Sequence, residues 1–282
     1  MLFRVIYKVN IKMNLEFYRP KNTLLKKYIE GFYFFVEDSK SDPLIYRTFP
    51  NNYVIVTIAQ NISLQQKDGM IIITPSKENN IFSNIVYRYN TPIEISYLKP
   101  INEITLYFKP LGLNFFIDNV DVIYSKDHTK KIEFDPYTDF KTEMEKIFNI
   151  SDRQKQIETL ELYWLSKFRE KDVSQVQELI RDIETDAKIS ELANKYKISR
   201  QYLNKIFQKN VGKPPSEYRK IHRFRRSIIE KNKVKNLTEL SCNNLFYNQS
   251  HFIKDFQDLT HNNPKFFFKN VDTQKENVWL FI

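Results

Sequence analysis

Glycine is nearly missing from this chain of 282 residues: Gly31, Gly69, Gly112 and Gly212 are its whole complement. A loop that cradles a phosphate or a dinucleotide needs several glycines close together, so neither is expected. A single cysteine, Cys242, excludes an internal disulfide framework and fits a reducing compartment. Its place in a helical apolar pattern reads as core, and it has no context as a nucleophile. Of the four histidines only His128 precedes residue 172, too few for a histidine-rich metal site, so no metal and no cofactor are expected. No apolar run approaches the roughly 18 residues of a membrane span. Met1 to Asn14 lacks the apolar centre and cleavage site of a signal peptide. The expectation is a cytoplasmic protein that is not an enzyme, with Met13 an alternative start to Met1.

What the chain does have is aromatic residues and an uneven charge. There are 23 Phe and 17 Tyr, and 41% of residues are hydrophobic, enough for real cores. The formal charge is +10, but residues 1–170 hold 23 basic and 21 acidic side chains, whereas residues 188–269 hold 18 basic and 6 acidic. Positive charge concentrated in one segment is the footprint of polyanion binding.

From Leu15 to Asn119 short β-branched and aromatic runs alternate with turn residues: Phe32–Val36, Tyr53–Ile58, Met70–Thr74 and Ile81–Tyr89. Ile104, Leu106 and Phe108 alternate with Thr105, Tyr107 and Lys109, as in a strand with one buried face. Eight of the eleven prolines lie before residue 140, mostly at run ends, which suits an antiparallel sandwich or barrel. One helix is expected early, with Leu24, Leu25, Tyr28 and Ile29 on a stripe. After Asp135 the period becomes helical. Phe140, Met144, Ile147 and Phe148 form one stripe; Ile157, Leu160, Trp164, Leu165 and Phe168 form another, after an N-cap at Ser151 or Asp152. This apolar face is either a dimer interface or, the preferred expectation, a surface packed on the sheets. The fold class is α+β, with an N-terminal β domain over 1–172 whose trailing helices occupy 136–170. An all-α domain over 173–270 and a tail over 271–282 follow.

The α domain writes one pattern twice. Leu192-Ala193, Ser199, Leu203, Phe207, Pro215 and Tyr218 are answered by Leu240-Ser241, Asn248, Phe252, Phe256, Pro264 and Phe267. The matches are offset by 49 residues, but Leu192 and Leu240 by 48, so the second copy holds an extra residue in its turn. In a helix-turn-helix the first helix braces and the second lies in the major groove. In the first copy Ser199 caps the second helix, and Arg200, Gln201, Asn204, Lys205 and Gln208 point outward. In the second, Asn248, Gln249, Ser250, His251, Ile253 and Lys254 do so. These side-chain types pair with base edges and phosphates. A connecting helix from Ser216, with Tyr218, Ile221, Phe224 and Ile228 inward, carries Arg219 and Lys220, expected on phosphate, and Arg223, expected to be structural.

Residues 183–269 resemble the DNA-binding domain of the AraC/XylS family of bacterial transcription regulators. The match is carried by Leu192-Ala193, Ser199 with Leu203 and Phe207, Gly212-x-x-Pro215-x-x-Tyr218, the run from Tyr218 to Phe224, Gln249-Ser250-His251-Phe252, Phe256 and Pro264. Leu245 and His261 depart from it, standing where the family has glycine, with Asn243, Asn244, Asn262 and Asn263 nearby as residues that tolerate left-handed backbone. Phe17-Tyr-Arg-Pro20, Phe108-Lys-Pro-Leu-Gly-Leu113 and Phe115-Phe116 resemble the sensor domain of regulators of the Bacteroidota type, which implies a cupin-like barrel. The resemblance implies binding of double-stranded DNA and control of transcription. Its candidate further partners are a small-molecule effector, RNA polymerase and a second copy of the chain. The alternative is an architectural DNA-binding protein that does not switch.

Overall fold

The computed structural model describes residues 15–35, 44–67, 70–185, 187–271 and 280–281. The readings of Met1 to Asn14 and of nearly all of the tail fall outside these. Nine strands lie between residues 15 and 108 among the described residues: β1 Leu15–Tyr18, β2 Ile29–Phe35, β3 Leu44–Thr48, β4 Val54–Gln60, β5 Ile62–Lys67, β6 Met70–Pro75, β7 Ile81–Val86, β8 Ile93–Tyr97 and β9 Asn102–Phe108. The early helix shrinks to α1, Leu25–Tyr28, because Ile29 already turns extended to enter β2.

The strands form two five-stranded sheets, ordered β1-β2-β9-β4-β7 and β10-β3-β8-β6-β5, where β10 is Leu280–Phe281, a described piece of the tail. This corrects the expected barrel. The sheets face each other without a ladder between them among the described residues. The free edge of β7 is taken instead by residues 132–134: Ile85 N donates to Ile132 O, and Phe134 N to Ser83 O. One further departure is the β6–β8 pair, which is parallel in an otherwise antiparallel arrangement.

Strand β9 buries both faces, not the one its alternation suggested. Ile104, Leu106 and Phe108 pack under the helices, while Glu103, Thr105 and Tyr107 face the second sheet. A central strand between two covering layers has no solvent side, so alternation there reports two environments of different polarity. The covering helices are α3 (Phe140–Phe148) and α4 (Arg153–Lys167), which follow the short α2 (Val120–Tyr124). Asp152 caps α4 through Lys155 N. Phe140, Met144, Ile147, Ile157, Leu160 and Trp164 all enter the core of the first sheet, with Trp164 edge-on to Phe108 at 5.0 Å. At about 1.5–3 kcal/mol per large apolar side chain, this packing occupies the stripe that would otherwise have been available to a partner.

The rest of the described chain is helical: α5 Ser174–Ile183, α6 Ile189–Lys195, α7 Arg200–Val211, α8 Pro215–Glu230, α9 Leu237–Asn243, α10 Gln249–Thr260 and α11 Pro264–Asn270. No helix among the described residues is long and apolar enough to cross a membrane.

Candidate nucleic-acid interface

The two copies of the motif become α6–α7 and α9–α10, and α8 belongs to the cores of both. Its Tyr218 packs with Ile183, Leu192, Leu203 and Phe207, whereas Ile221, Phe224 and Ile228 pack with Leu240, Phe252, Phe256 and Phe267. Proline at the first position of α8 suits the start of a helix, where its missing N–H has no intrahelical acceptor to lose.

Each reading helix is started by a side-chain cap. Ser199 Oγ accepts from Tyr202 N at 3.1 Å, and Asn248 Oδ1 from His251 N at 2.8 Å; such caps contribute about 1 kcal/mol each. The turns repeat as well. Lys197 (φ 55°) and Leu245 (φ 59°) take the left-handed conformation before α7 and α10; Gly212 (φ 80°) and His261 (φ 55°) take it after them. The strain foreseen at Leu245 and His261 therefore falls on those residues themselves and not on the neighbouring asparagines. At Gly212 a Cβ would also meet Tyr87 at 2.7 Å.

The extra residue of the second copy can now be identified. Ile198 N bonds to Ala193 O at 3.0 Å and Phe246 N to Ser241 O at 3.2 Å, so Phe246 does the work of Ile198. Tyr247 is the insertion, 92% exposed and directly before the cap Asn248. The sequence reading passed over it, although the change of offset from 48 to 49 was the signal. Cys242 is also corrected: it is exposed, and Ser241 is the small residue buried on α9, because the inward stripe falls on Leu240, Ser241 and Asn244.

On α7, Arg200, Gln201, Lys205 and Gln208 are exposed, and their side chains make no hydrogen bond or ion pair among the described residues. Asn204 is half-buried, its Nδ2 donating to Arg200 O. On α10, Ser250 and Lys254 are exposed and similarly unengaged, while the exposed Gln249 accepts from Thr238 Oγ1 at 3.0 Å. His251 is half-buried, its Nε2 3.6 Å from Asp255.

The cations of α8 behave differently. Arg219 donates to Ile183 O and Ala187 O, satisfying carbonyls at the end of α5 and beyond. Lys220 pairs with Asp258 at 2.6 Å and Asp255 at 3.5 Å. Both are engaged inside the protein, where the sequence reading placed them on phosphate. Arg223 bonds Asp255 and Leu245 O, the structural role expected of it.

The β domain is docked against both units. Between β3 and β4, the buried Phe49 enters the second unit's core, 5.0 Å from the Phe267 ring. Arg225 donates to Pro50 O at 2.7 Å and also to Phe49 O. Lys213, just after α7, is only 1% exposed and donates from Nζ to Asn51 O at 2.9 Å. Arg88 holds Glu217 with both ends of its guanidinium, at 3.0 and 2.8 Å. Behind this contact, Tyr89 donates to Phe49 O at 2.7 Å and accepts from Asn51 Nδ2 at 3.0 Å. Tyr89 is also one wall of a cavity of about 90 Å³ between the two sheets.

Residues 192–270 match the family model described as a helix-turn-helix domain. No curated protein matches the sequence. Among solved structures, ToxT from Vibrio cholerae in its P21 form is similar over 85% of this chain and 98% of that one, at 16% identity and a TM-score of 0.44. ToxT bound to (E)-4-(8-methylnaphthalen-1-yl)but-3-enoic acid is similar over 83% and 97%, at 13% identity and 0.42. ToxT with bound unsaturated fatty acid covers 83% and 97%, at 12% identity and 0.42.

Proposed function

We propose that this chain, whose C-terminal domain is a helix-turn-helix domain of the AraC type, is a sequence-specific regulator of transcription. Residues 173–270 are its reading unit for double-stranded DNA, and residues 1–172 sense an effector. The observation that carries this is the contrast between cations. Arg219, Lys220, Arg223 and Arg225 are engaged within the protein, while Arg200, Lys205 and Lys254, on the outer faces of the second helices, are not. A merely basic domain would not divide its charges in this way. Arg200 and Gln201 are assigned to base edges, where bidentate contacts to guanine and adenine are the common readout. Lys205 and Lys254 are assigned to phosphate.

Helix α8, 16 residues and so about 24 Å long, is shared by both cores. It supports insertion of α7 and α10 into successive major-groove segments about 34 Å apart. Tyr247 extends the second unit toward a thymine methyl or a phosphate. Sensing is supported by the path from the cavity wall: Tyr89 bonds to Phe49 O, and the Phe49 ring lies in the core under α10 and α11.

The test is anisotropy binding of the full-length chain to duplex fragments from its own upstream region and to scrambled duplex, over a salt series. Preference of about a thousandfold or more with a steep salt slope is expected. Absence of duplex binding at low salt would overturn the reading.

A further inference from the structure

Glu103 is the most unusual polar group in the β domain. It stands on the central strand β9, is 1% exposed, and forms part of the wall of the cavity between the sheets. Tyr97 OH donates to its carboxylate at 2.8 Å, Thr105 Oγ1 at 2.9 Å and Tyr33 OH at 3.0 Å. Among the described residues no lysine, arginine or histidine pairs with it, so a buried carboxylate lacks a counter-charge, an arrangement that is costly unless something supplies one. A carboxylate offers about four acceptor positions, and three are taken. Burial pushes its carboxyl above the usual range, against the pull of the three hydroxyls.

The walls around it are aromatic. Tyr33, Tyr46, Tyr97 and Tyr107 line the cavity, with Tyr46 and Tyr97 stacked at 6.0 Å and 17°. The negative faces of such rings attract a cation, and a ring cage beside a carboxylate is the chemistry that recognises alkylated ammonium groups. Outside the cavity, the exposed Lys131 has its Nζ 4.8 Å from the ring centroid of Phe82, a residue of the same wall. Of the cations beside the adjoining hollow, Arg88 is held by Glu217 and Lys130 lies 3.8 Å from Asp127. The volume of about 90 Å³ holds roughly six to nine water-sized groups.

We propose that this cavity binds a small primary alkylammonium ion, its head against Glu103 and the tyrosine rings and its alkyl part along Ile71, Ile73 and Ile95 of the second sheet. This rests on reading residues 1–172 as the sensing unit and names the ligand chemistry of that unit. A carboxylate of the same size is rejected, because it would bring a second negative charge to a buried site that already holds one.

The experiment is calorimetric titration of the full-length chain with butylammonium chloride, sodium butyrate and butan-1-ol, repeated on Glu103→Gln. Saturable butylammonium binding with a Kd below about 1 mM is expected, weakened about tenfold or more in the variant, with no binding of butyrate. No saturation up to about 20 mM butylammonium would overturn the proposal, as would butyrate or butanol binding as tightly, or a Kd in Glu103→Gln within about twofold of the parent. Should Glu103→Gln fail to fold, the three-ligand comparison on the unsubstituted chain decides alone. Duplex binding is measured on the same preparations. Failure of butylammonium with duplex binding intact overturns the ligand assignment and leaves the DNA-binding reading standing. Butylammonium binding by a chain that binds no duplex supports the ligand assignment while overturning that reading.

Discussion

Lys213 should make the protein less stable at neutral pH than at high pH, and replacing it with methionine should remove that dependence. Burial brings its ammonium pKa down from the ordinary 10.5 to about 8; nearby Glu217 raises it and Arg88 lowers it further. The folded state therefore holds this proton less tightly than the unfolded chain does. The penalty is fully present below the folded value, shrinks as pH rises, and disappears above the unfolded value. A pKa lower by about 2.5 corresponds to about 3.4 kcal/mol near pH 7 and under about 1 kcal/mol at pH 10. Lys213→Met keeps the volume and removes the charge, at a cost of about 1–1.5 kcal/mol for the lost bond to Asn51 O. The variant should be more stable by about 2 kcal/mol at pH 7, with the advantage gone or reversed at pH 10. Urea unfolding of both proteins at pH 7, 8.5 and 10 measures this as a difference, so that tyrosines titrating in both cancel. A difference that does not change with pH, or a variant less stable at pH 7, would refute the reasoning. Because Lys213 meets Asn51 across the two domains, the same penalty opposes their docking.

Three further outcomes are expected. Gln201→Ala should cost about 1–3 kcal/mol of preference for the specific duplex over a scrambled one, while Lys254→Ala weakens both alike and lowers the salt slope by about 1; equal losses on the two duplexes for Gln201→Ala would sink its role as a reader. His261→Gly should stabilise the chain by up to about 1 kcal/mol, since φ 55° suits glycine, whereas His261→Ala should not; equal melting temperatures for the two variants would count against strain at that turn. Phe49→Ala should cost about 3–4 kcal/mol, with hydrogen exchange accelerated in α10 and α11 while α6 and α7 keep their protection. Unchanged exchange in α11 would show that Phe49 does not hold the second unit.

Both helix-turn-helix units, the Ser199 cap and their buried stripes were legible because they are local, whereas Asn248, read as a DNA-facing side chain, turns out to cap α10. A helix repeats its neighbours every three or four residues, so Leu203 and Phe207, or Phe252 and Phe256, declare one face within a single turn. Leu245 and His261 could be named in advance as strained because the family resemblance puts glycine at both places, and the left-handed backbone found there is the one glycine takes without cost. The sheets were less legible. Strands β1, β3, β5, β8 and β10 escaped notice, and β9 was read with one buried face, because its two sides are covered by layers far away in the chain. The stripe of α3 and α4 was visible, but what it packs against was a matter of expectation until the sheet was placed beneath it.

The sequence alone determined an α+β chain with a twice-written DNA-reading motif and a basic C-terminal domain, since spacing, capping and composition are properties of neighbouring residues. Only the tertiary structure decided which charges remain for a polyanion. Arg219, Lys220 and Arg225 find their acceptors 36, 38 and 175 residues away, and a charge engaged at that separation looks the same in sequence as a free one. The same holds for Glu103, an ordinary acidic residue in its strand until two sheets closed over it and left its carboxylate on a cavity wall, with no ion pair to it among the described residues.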